Sequence, residues 1–146
     1  MLQKETKLRV RYGETDRMGY VYYGNYAEYY EVGRVEALRE LGFSYKEMED
    51  RDVMLPVVDL SISYKKPAFY DDEIRIVTTI KEMHSIRITF HYECYNQHNE
   101  LLNTGKVVLV CIDKINNKPC LPPEWFMDAM KKFFWWNKLV LYYFYL

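Results

Sequence analysis

The spacing of hydrophobic residues changes along this chain, and each change predicts a different element. Between residues 8 and 12 apolar and polar residues alternate, which predicts a strand from Leu8 to Tyr12. From about residue 24 to residue 42 apolar and small residues recur every three or four positions, which predicts one long helix. The buried stripe of that helix is expected to consist of Tyr26, Tyr30, Gly33, Ala37 and Leu41.

Both ends of the predicted helix carry recognisable signals. The helix is expected to begin near Gly24 or Asn25, because an Asn side chain can accept hydrogen bonds from the first turn as an N-cap. Gly42 suits a left-handed residue after the last turn. The small residue Gly33 would let a sheet approach the helix closely. The side exposed to water is expected to carry Glu28, Glu31, Arg34, Glu36 and Arg39.

The second half of the chain reverts to a twofold alternation. It predicts four strands, near residues 58–64, 73–83, 86–94 and 101–113, followed by a short helix over 124–134. Short turns between consecutive strands predict antiparallel neighbours. An antiparallel sheet with a solitary helix must wrap around that helix to bury its apolar face, so the fold class is α+β. The other sheet face and an open edge would be covered by a second copy of the chain.

Length and composition limit the classes of function. The chain has 146 residues, which fits one domain, predicted over residues 1–134, with an apolar tail at 135–146. That tail is too short to span a bilayer and is interpreted as an added strand, an interface segment, an interfacial membrane contact or the remnant of a frameshift. A net charge of -1 argues against a protein that coats nucleic acid. Three cysteines without a CxxC pattern, and no signal peptide, predict reduced thiols in a cytoplasmic protein.

An acidic loop precedes the predicted helix and is the strongest chemical signal in the sequence. The loop runs from Gly13 to about Tyr23 and contains Glu14 and Asp16. The exposed N–H groups at a helix start favour negative charge, including charge that develops on a carbonyl oxygen during a reaction. A carboxylate beside such a helix start is therefore either an ordinary turn or capping residue or a group that takes part in chemistry at a carbonyl.

Two segments of the chain resemble a known family. The segment RYGETDRMGYVYYGNYAEYYEVGR resembles the signature of hotdog-fold acyl-CoA thioesterases of the 4-hydroxybenzoyl-CoA thioesterase type. The segment SYKKPAFYDDEI is similar to the Tyr-x-x-Pro-x-x-x-Asp segment of the same family. The resemblance covers roughly residues 7 to 130, and it implies the hotdog fold, in which a sheet of about five strands wraps around one central helix.

The resemblance implies a set of catalytic groups. Asp16 matches the catalytic carboxylate, and Tyr23 matches the position at the helix start whose backbone N–H polarises the thioester carbonyl. Some relatives carry His where this chain has Tyr23, so no imidazole is expected to act here. The amide of Gly24 is expected to assist as an oxyanion donor. Asp16 would act as nucleophile or as general base, and the sequence does not separate these roles.

Three further residues are candidates for substrate binding, each with a structural alternative. Asn25 is expected to cap the helix, and its amide could also touch substrate. Lys65 and Lys66 would hold the phosphates of coenzyme A as point charges, or would be solvated like most such pairs. The three histidines and three cysteines form no cluster with metal-ligand spacing, so no metal is expected. No cofactor is expected beyond the coenzyme A that belongs to the substrate.

The sequence thus predicts a thioester hydrolase that converts an acyl-CoA to a free acid and coenzyme A. One alternative is a thioesterase acting on acyl carrier protein, whose phosphopantetheine arm would fit the same tunnel. Another is a non-catalytic hotdog protein that binds acyl ligands. Family members form their active sites at a dimer interface, and tetramers are frequent, so a homodimer or homotetramer is expected. No nucleic acid and no membrane are expected as partners.

Overall fold

In the computed structural model, which describes residues 1–81 and 83–134, a long helix lies against an antiparallel sheet. A 3₁₀ turn at Tyr12–Glu14 precedes the long helix. The helices are α1 (Asn25–Glu40), α2 (Tyr45–Asp50) and α3 (Glu124–Phe134). The strands are β1 (Leu2–Arg9), β2 (Val53–Met54), β3 (Val57–Tyr64), β4 (Glu73–Ile80), β5 (Met83–His84), β6 (Arg87–Tyr95), β7 (Leu101–Val110), β8 (Ile112–Asp113) and β9 (Lys118–Pro119).

The main sheet follows the order β1-β4-β6-β7-β3, with β5 paired to β6. All of these pairings are antiparallel. The predicted polar hairpin at residues 96–100 joins β6 to β7. Strand β7 is an interior strand, as predicted, although β6 occupies the middle of the sheet. A separate small sheet with the order β2-β8-β9 lies beside it.

Helix α1 packs on the main sheet through the predicted stripe, and its backbone lies closest to β1 and β4. All five stripe positions are buried. A Cβ added at Gly33 would lie 3.0 Å from Ile76 Cγ2 and still closer to Thr78 Oγ1, so only glycine fits at this approach. Gly42 follows the helix with a positive φ of 98°, which an L side chain rarely adopts. The predictions for the stripe, for Gly33 and for the helix end are confirmed.

Arg34 is the exception on the predicted exposed side of α1, since only 7% of it is exposed. Its Nε donates to the Tyr45 hydroxyl at 2.7 Å, and its Nη1 donates to the Tyr92 hydroxyl at 3.4 Å. The prediction for Arg34 was wrong because two tyrosine hydroxyls, one on α2 and one on β6, satisfy a guanidinium that a helical pattern assigns to water.

The first strand also differs from the prediction. It covers Leu2–Arg9, and its register with β4 runs from Leu2 opposite Ile80 to Arg9 opposite Glu73. Tyr12 lies in the 3₁₀ turn and is 79% exposed. The polar residues before Leu8 hid this strand, because an edge strand tolerates charged side chains that a central strand would exclude.

The two edges of the main sheet are chemically different. Edge strand β1 carries charged side chains, including Lys4 and Lys7, which form ion pairs with Glu40 and Glu73 at 3.0 and 3.2 Å. On the other edge, the apolar side chains of β3 are more exposed than predicted, apart from Ile62, which is partly buried against the core. About half of the surface of Val58 is exposed. The reason is that β3 lies at the end of the sheet, beyond the strands that α1 covers.

The predicted helix at residues 124–134 is present as α3, and its residue Phe126 is fully buried in the core. The apolar tail at 135–146 lies outside the described residues, so its predicted roles stay predictions. The assignment of residues 1–134 to one domain likewise stays a prediction. Within the described ranges, no helix has both the length and the apolar character needed to cross a membrane.

Candidate active site

The acidic loop before α1 is folded as a tight turn that presents Asp16. An isolated bridge joins Thr15 to Val21, and the amide of Asp16 donates to the carbonyl of Tyr20 at 2.8 Å. Gly19 occupies the left-handed region with φ of 82°, which allows the chain to reverse there. The local sequence thus places a carboxylate at the tip of a short hairpin.

The Asp16 carboxylate is half-buried and held by one of its two oxygens. Its Oδ1 accepts a hydrogen bond from the amide of Met18 at 2.8 Å, the usual local contact of an Asp in a turn. No hydrogen bond to Oδ2 is found among residues 1–81 and 83–134. One oxygen therefore fixes the side chain while the other is available to a reacting group.

The start of α1 offers backbone donors. The N-cap is Gly24, and Asn25 is the first helical residue, so the expectation that Asn25 caps the helix was wrong. The amides of Asn25 and Tyr26 turn back to the carbonyls of Tyr22 and Tyr23, at 2.9 and 3.4 Å. Within the described part of the chain, the amides of Tyr23 and Gly24 have no acceptor. These two N–H groups are the free donors at the helix start.

Glu14 connects the loop to the helix, a role that the sequence did not suggest. Its carboxylate accepts from the amide of Arg11 at 2.7 Å and from the hydroxyl of Tyr29 at 3.1 Å. Its backbone carbonyl accepts from the amide of Tyr22 at 2.9 Å and from Nδ2 of Asn25 at 2.6 Å. Burial, followed by the negative charge of Glu14, raises the pKa of Tyr29, so this hydroxyl stays protonated. Through its hydrogen bond to the Glu14 carbonyl, the Asn25 side chain thus holds the loop against the start of the helix.

A cleft of about 280 Å³ brings most of the predicted site residues together. Four of the six predicted residues contribute to its lining, namely Asp16, Tyr23, Lys65 and Lys66. Gly24 and Asn25 do not line it, although the peptide group that carries the Gly24 N–H begins at Tyr23, which does. The remaining lining is apolar or aromatic and consists of Met18, Tyr20, Val21, Tyr26, Tyr64 and Pro67. A carboxylate, a helix start and two cations therefore border one mostly apolar space.

The two lysines at the rim of the cleft differ in their surroundings. Lys66 forms an ion pair with Glu100, and hydrogen bonding to Lys66 lowers the pKa of that carboxyl group. Among the described residues, the ammonium group of Lys65 has no carboxylate partner. Lys65 is therefore the cation that is free to meet a negatively charged ligand.

Two tyrosines line the cleft and contact each other. The rings of Tyr26 and Tyr64 meet edge to face with centroids 5.7 Å apart. The Tyr64 hydroxyl donates to the backbone carbonyl of Tyr23 at 2.9 Å, which links the end of β3 to the start of α1. Burial raises the pKa of Tyr26, so it is a neutral wall of the cleft. The family-like SYKKP segment contains Tyr64, but its sequence gave no sign of this contact.

The described residues contain no group of three or more His, Cys, Asp or Glu side chains placed to hold a metal ion. What they do offer is an aspartate with a free oxygen and free amides at a helix start, beside an apolar cleft. A carboxylate can attack or activate water at an acyl carbon, and free amides can stabilise the oxyanion that results. Together with a sheet wrapped around one helix, this set is typical of hotdog-fold thioester hydrolases.

The comparison with known proteins agrees with that class. The chain belongs to the Thioesterase-like superfamily, whose family model matches residues 10–130. The resemblance to hotdog-fold acyl-CoA thioesterases of the 4-hydroxybenzoyl-CoA thioesterase type is thereby confirmed, and the predicted fold and enzyme class are confirmed with it.

Individual relatives cover nearly the same length of chain. YneP of Bacillus subtilis (strain 168) is 41% identical over 113 residues, which is 77% of this chain and 82% of YneP. The acyl-CoA thioester hydrolase YbgC of Escherichia coli is 34% identical over 125 residues, covering 86% of this chain and 93% of YbgC. The crystal structure of the DHNA-CoA thioesterase from Staphylococcus aureus has 37% identity and a TM-score of 0.86, and the match covers 94% of each chain.

Proposed function

We propose that this thioesterase hydrolyses acyl-CoA to a free acid and coenzyme A, with Asp16 as the reacting carboxylate. The observation that carries the proposal is the shared cleft: Asp16 and Tyr23, the residue just before the helix start, line the same mostly apolar space. The names of the relatives YbgC and DHNA-CoA thioesterase support the same reaction.

The proposed reaction divides the work between a carboxylate and backbone amides. The thioester carbonyl points its oxygen at the amides of Tyr23 and Gly24, which stabilise the negative charge that forms on it. Asp16 either attacks the carbonyl carbon, giving an acyl anhydride that water then hydrolyses, or takes a proton from the attacking water. In both cases the C–S bond breaks and the departing thiolate acquires a proton. Both routes require an ionised carboxylate with one oxygen free, as Oδ2 of Asp16 is.

Lys65 supports coenzyme A as the carrier of the acyl group. A flexible ammonium group at the cleft rim suits a phosphate as a point charge. The proposal assigns this role to Lys65 rather than to Lys66, whose charge is already compensated by Glu100. Asn25, which the sequence marked as a possible substrate contact, is assigned to positioning the loop. The reaction uses no cofactor beyond the coenzyme A of the substrate and no metal.

A carrier protein is the second candidate for the thiol part of the substrate. Arg17 is exposed and lies between the cleft-lining residues Asp16 and Met18. Together with the two lysines at the cleft rim, it would favour an acidic partner. The two candidates share the phosphopantetheine arm and the chemistry at Asp16. They are separated by the rate with acyl-CoA relative to the rate with the same acyl group on acyl carrier protein.

A homodimer or homotetramer is part of the proposal. The apolar edge strand β3 and the exposed face of α1, where Val32 is 41% exposed, are both uncovered in one protomer. Pairing of β3 with a second copy would extend the sheet and cover both surfaces. A cytoplasmic location also remains a proposal, supported by three cysteines that are free thiols.

The experiment is a comparison of Asp16→Asn with wild type on acetyl-CoA, hexanoyl-CoA, benzoyl-CoA and the corresponding acyl carrier protein thioesters. Wild type should hydrolyse at least one acyl-CoA. The kcat of Asp16→Asn should fall by about 10²–10⁴-fold, as is typical of a lost acid or base group. The matched control is Asp50→Asn, because Asp50 is exposed on α2 and takes no part in the cleft.

Two results would contradict the proposal. Retention of more than about a tenth of the wild-type rate by a folded Asp16→Asn protein would remove Asp16 from the reaction. Binding of acyl-CoA without any hydrolysis by wild type would favour the non-catalytic acyl-binding protein. Hydrolysis restricted to acyl carrier protein thioesters would leave the role of Asp16 in place but would replace coenzyme A with acyl carrier protein as the carrier of the acyl group.

A further inference from the structure

The two free amides at the helix start belong to peptide groups whose carbonyls are themselves hydrogen-bonded. The N–H of Tyr23 shares a peptide group with the carbonyl of Tyr22, which accepts from the amide of Asn25 at 2.9 Å. The N–H of Gly24 shares a peptide group with the carbonyl of Tyr23. That carbonyl accepts from the Tyr64 hydroxyl at 2.9 Å and, over a longer distance of 3.4 Å, from the amide of Tyr26.

Tyr64 differs from the other donors because it is a side chain and because it comes from the sheet. Among the described residues, it is the one side chain that donates to either of these carbonyls. It is the last residue of β3, 41 positions away from Tyr23 in the sequence. The contact therefore couples the end of a strand to one particular peptide group at the helix start.

A hydrogen bond to a peptide carbonyl acts on the N–H of the same peptide group in two ways. Because the peptide group is planar, a donor that fixes the carbonyl oxygen also fixes the direction of the N–H. Because hydrogen bonds in a chain polarise one another, each by about 10–30%, the N–H also becomes a stronger donor. Both effects favour an oxyanion over a neutral carbonyl, since stabilisation of the oxyanion depends on preorganised donors.

We propose that Tyr64 is a positioning residue of the oxyanion site, acting on the Gly24 N–H through the Tyr23 carbonyl. This inference rests on the proposed function and deepens it, since it explains why the tyrosine of the SYKKP segment lies in the cleft. Tyr64 does not touch the reacting atoms in this role. It holds and polarises the peptide group that does.

The surroundings of Tyr64 fit a fixed donor. Its ring lies edge to face against Tyr26, which is 3% exposed and anchored in the core. Burial raises the pKa of Tyr64, so the hydroxyl keeps its proton throughout the neutral range in which an assay is run. A phenylalanine at this position would keep the ring contact and remove the hydroxyl alone.

The test compares Tyr64→Phe with wild type and with Tyr70→Phe. Tyr70 is a matched control because it lies in the same segment, is 58% exposed and does not line the cleft. For the best substrate of acetyl-, hexanoyl- and benzoyl-CoA, Tyr64→Phe should lower kcat by roughly tenfold with KM nearly unchanged. This loss is smaller than the 10²–10³-fold cost of removing an oxyanion donor outright. Tyr70→Phe should match wild type.

A spectroscopic readout separates positioning from a merely structural role. The carbonyl stretch of the bound acyl-CoA is measured by isotope-edited infrared difference spectroscopy in Asp16→Asn, where turnover is slow. Adding Tyr64→Phe should move the band part of the way back towards its frequency in free acyl-CoA, while the affinity for acyl-CoA stays the same. Adding Tyr70→Phe should leave the band in place.

The outcomes distinguish this inference from the proposed function. A kcat of Tyr64→Phe within about twofold of wild type would overturn the inference. A lower kcat with an unchanged carbonyl band would also overturn it, because the hydroxyl would then act through stability or loop packing. If Asp16→Asn turns over normally, the proposed function and this inference both fail. If Asp16→Asn is inactive and Tyr64→Phe is normal, the inference alone fails.

Discussion

Gly105 on β7 allows α1 to lie where it does, and replacing it with alanine tests the packing under the helix. A Cβ at this position would lie 2.6 Å from Cζ of Tyr30 and still closer to its Cε2 and Oη, whereas ordinary contact begins at 3.4 Å. Tyr30 has little freedom to move. It is fully buried, its ring stacks on Tyr92 with centroids 4.1 Å apart, and its hydroxyl donates to Oδ1 of Asn103 at 2.6 Å.

The cost of Gly105→Ala follows from these contacts. Overpacking of a core costs about 1–3 kcal/mol. Displacement of Tyr30 would also remove the donor to Oδ1 of Asn103, and a buried group that loses its hydrogen bond costs about 1–3 kcal/mol. The alanine regains roughly 0.5–1 kcal/mol relative to glycine within a strand. The expected net loss of unfolding free energy is about 2–4 kcal/mol.

Urea unfolding followed by circular dichroism, at one fixed protein concentration, measures this loss. A thermal melt should show a fall in Tm of about 4–16 °C, given roughly 2–4 °C per kcal/mol for a domain of this size. Gly13→Ala is the matched control, because a Cβ at Gly13 would meet nothing within 4 Å. An unfolding free energy of Gly105→Ala within about 0.5 kcal/mol of wild type would refute the close packing of Tyr30 on β7.

Three further predictions concern charge, edge and thiols. Lys65→Ala should raise KM for acyl-CoA several-fold with kcat unchanged. The control Lys46→Ala, on exposed α2, should leave both constants unchanged. A KM of Lys65→Ala equal to that of wild type would exclude a contact between Lys65 and the coenzyme A phosphates. Leu60→Lys places a charge on the open β3 edge, so this variant should sediment as a monomer in sedimentation velocity. A variant that still sediments as an oligomer would show that the interface lies elsewhere. Burial raises the pKa of the Cys94 and Cys111 thiols to about 12, so both should resist iodoacetamide in the folded protein near pH 8 and react after unfolding. Since these thiols ionise near their ordinary pKa of 9.0 in the unfolded chain, their contribution to the unfolding free energy should be lost as the pH rises above about 9.

The elements that the sequence predicted well are those in which one local pattern decides the structure. The stripe from Tyr26 to Leu41 repeats at the period of a helix, and Gly42 supplies the conformation that ends it. The hairpin at residues 96–100 and the helix at 124–134 have equally local signals. These segments needed no knowledge of distant contacts, and the structure has them where the pattern places them.

The elements that the sequence missed depend on partners far away in the chain. Arg34 is buried because tyrosine hydroxyls of α2 and β6 meet its guanidinium. The carboxylate of Glu14 fixes the loop through Tyr29, 15 positions further on. Tyr64 reaches Tyr23 across 41 positions. The spacing of residues along the chain does not indicate which distant residues will form such hydrogen bonds. The sequence therefore shows that these residues are polar but does not identify their partners.

The candidate site was predicted in part for the same reason. The sequence segment around Asp16 and Tyr23 is continuous, and both residues line the cleft. Asn25 lies in the same segment, and its Nδ2 donates to the carbonyl of Glu14. Spacing along a chain thus located the loop and the helix start, whereas the direction of each side chain depended on the folded loop.

The central claim is that Asp16 faces the free amides of the helix start across a space that holds a thioester. The most direct measurement is a crystal structure of the protein with an acyl-CoA analogue in which a methylene group separates the carbonyl from the sulfur. We expect the carbonyl oxygen about 3 Å from the amide nitrogen of Tyr23 or Gly24, and an Asp16 oxygen about 3.5 Å from the carbonyl carbon or joined to it by one water. An analogue bound with its carbonyl outside the cleft, and Asp16 turned away from it, would contradict the account.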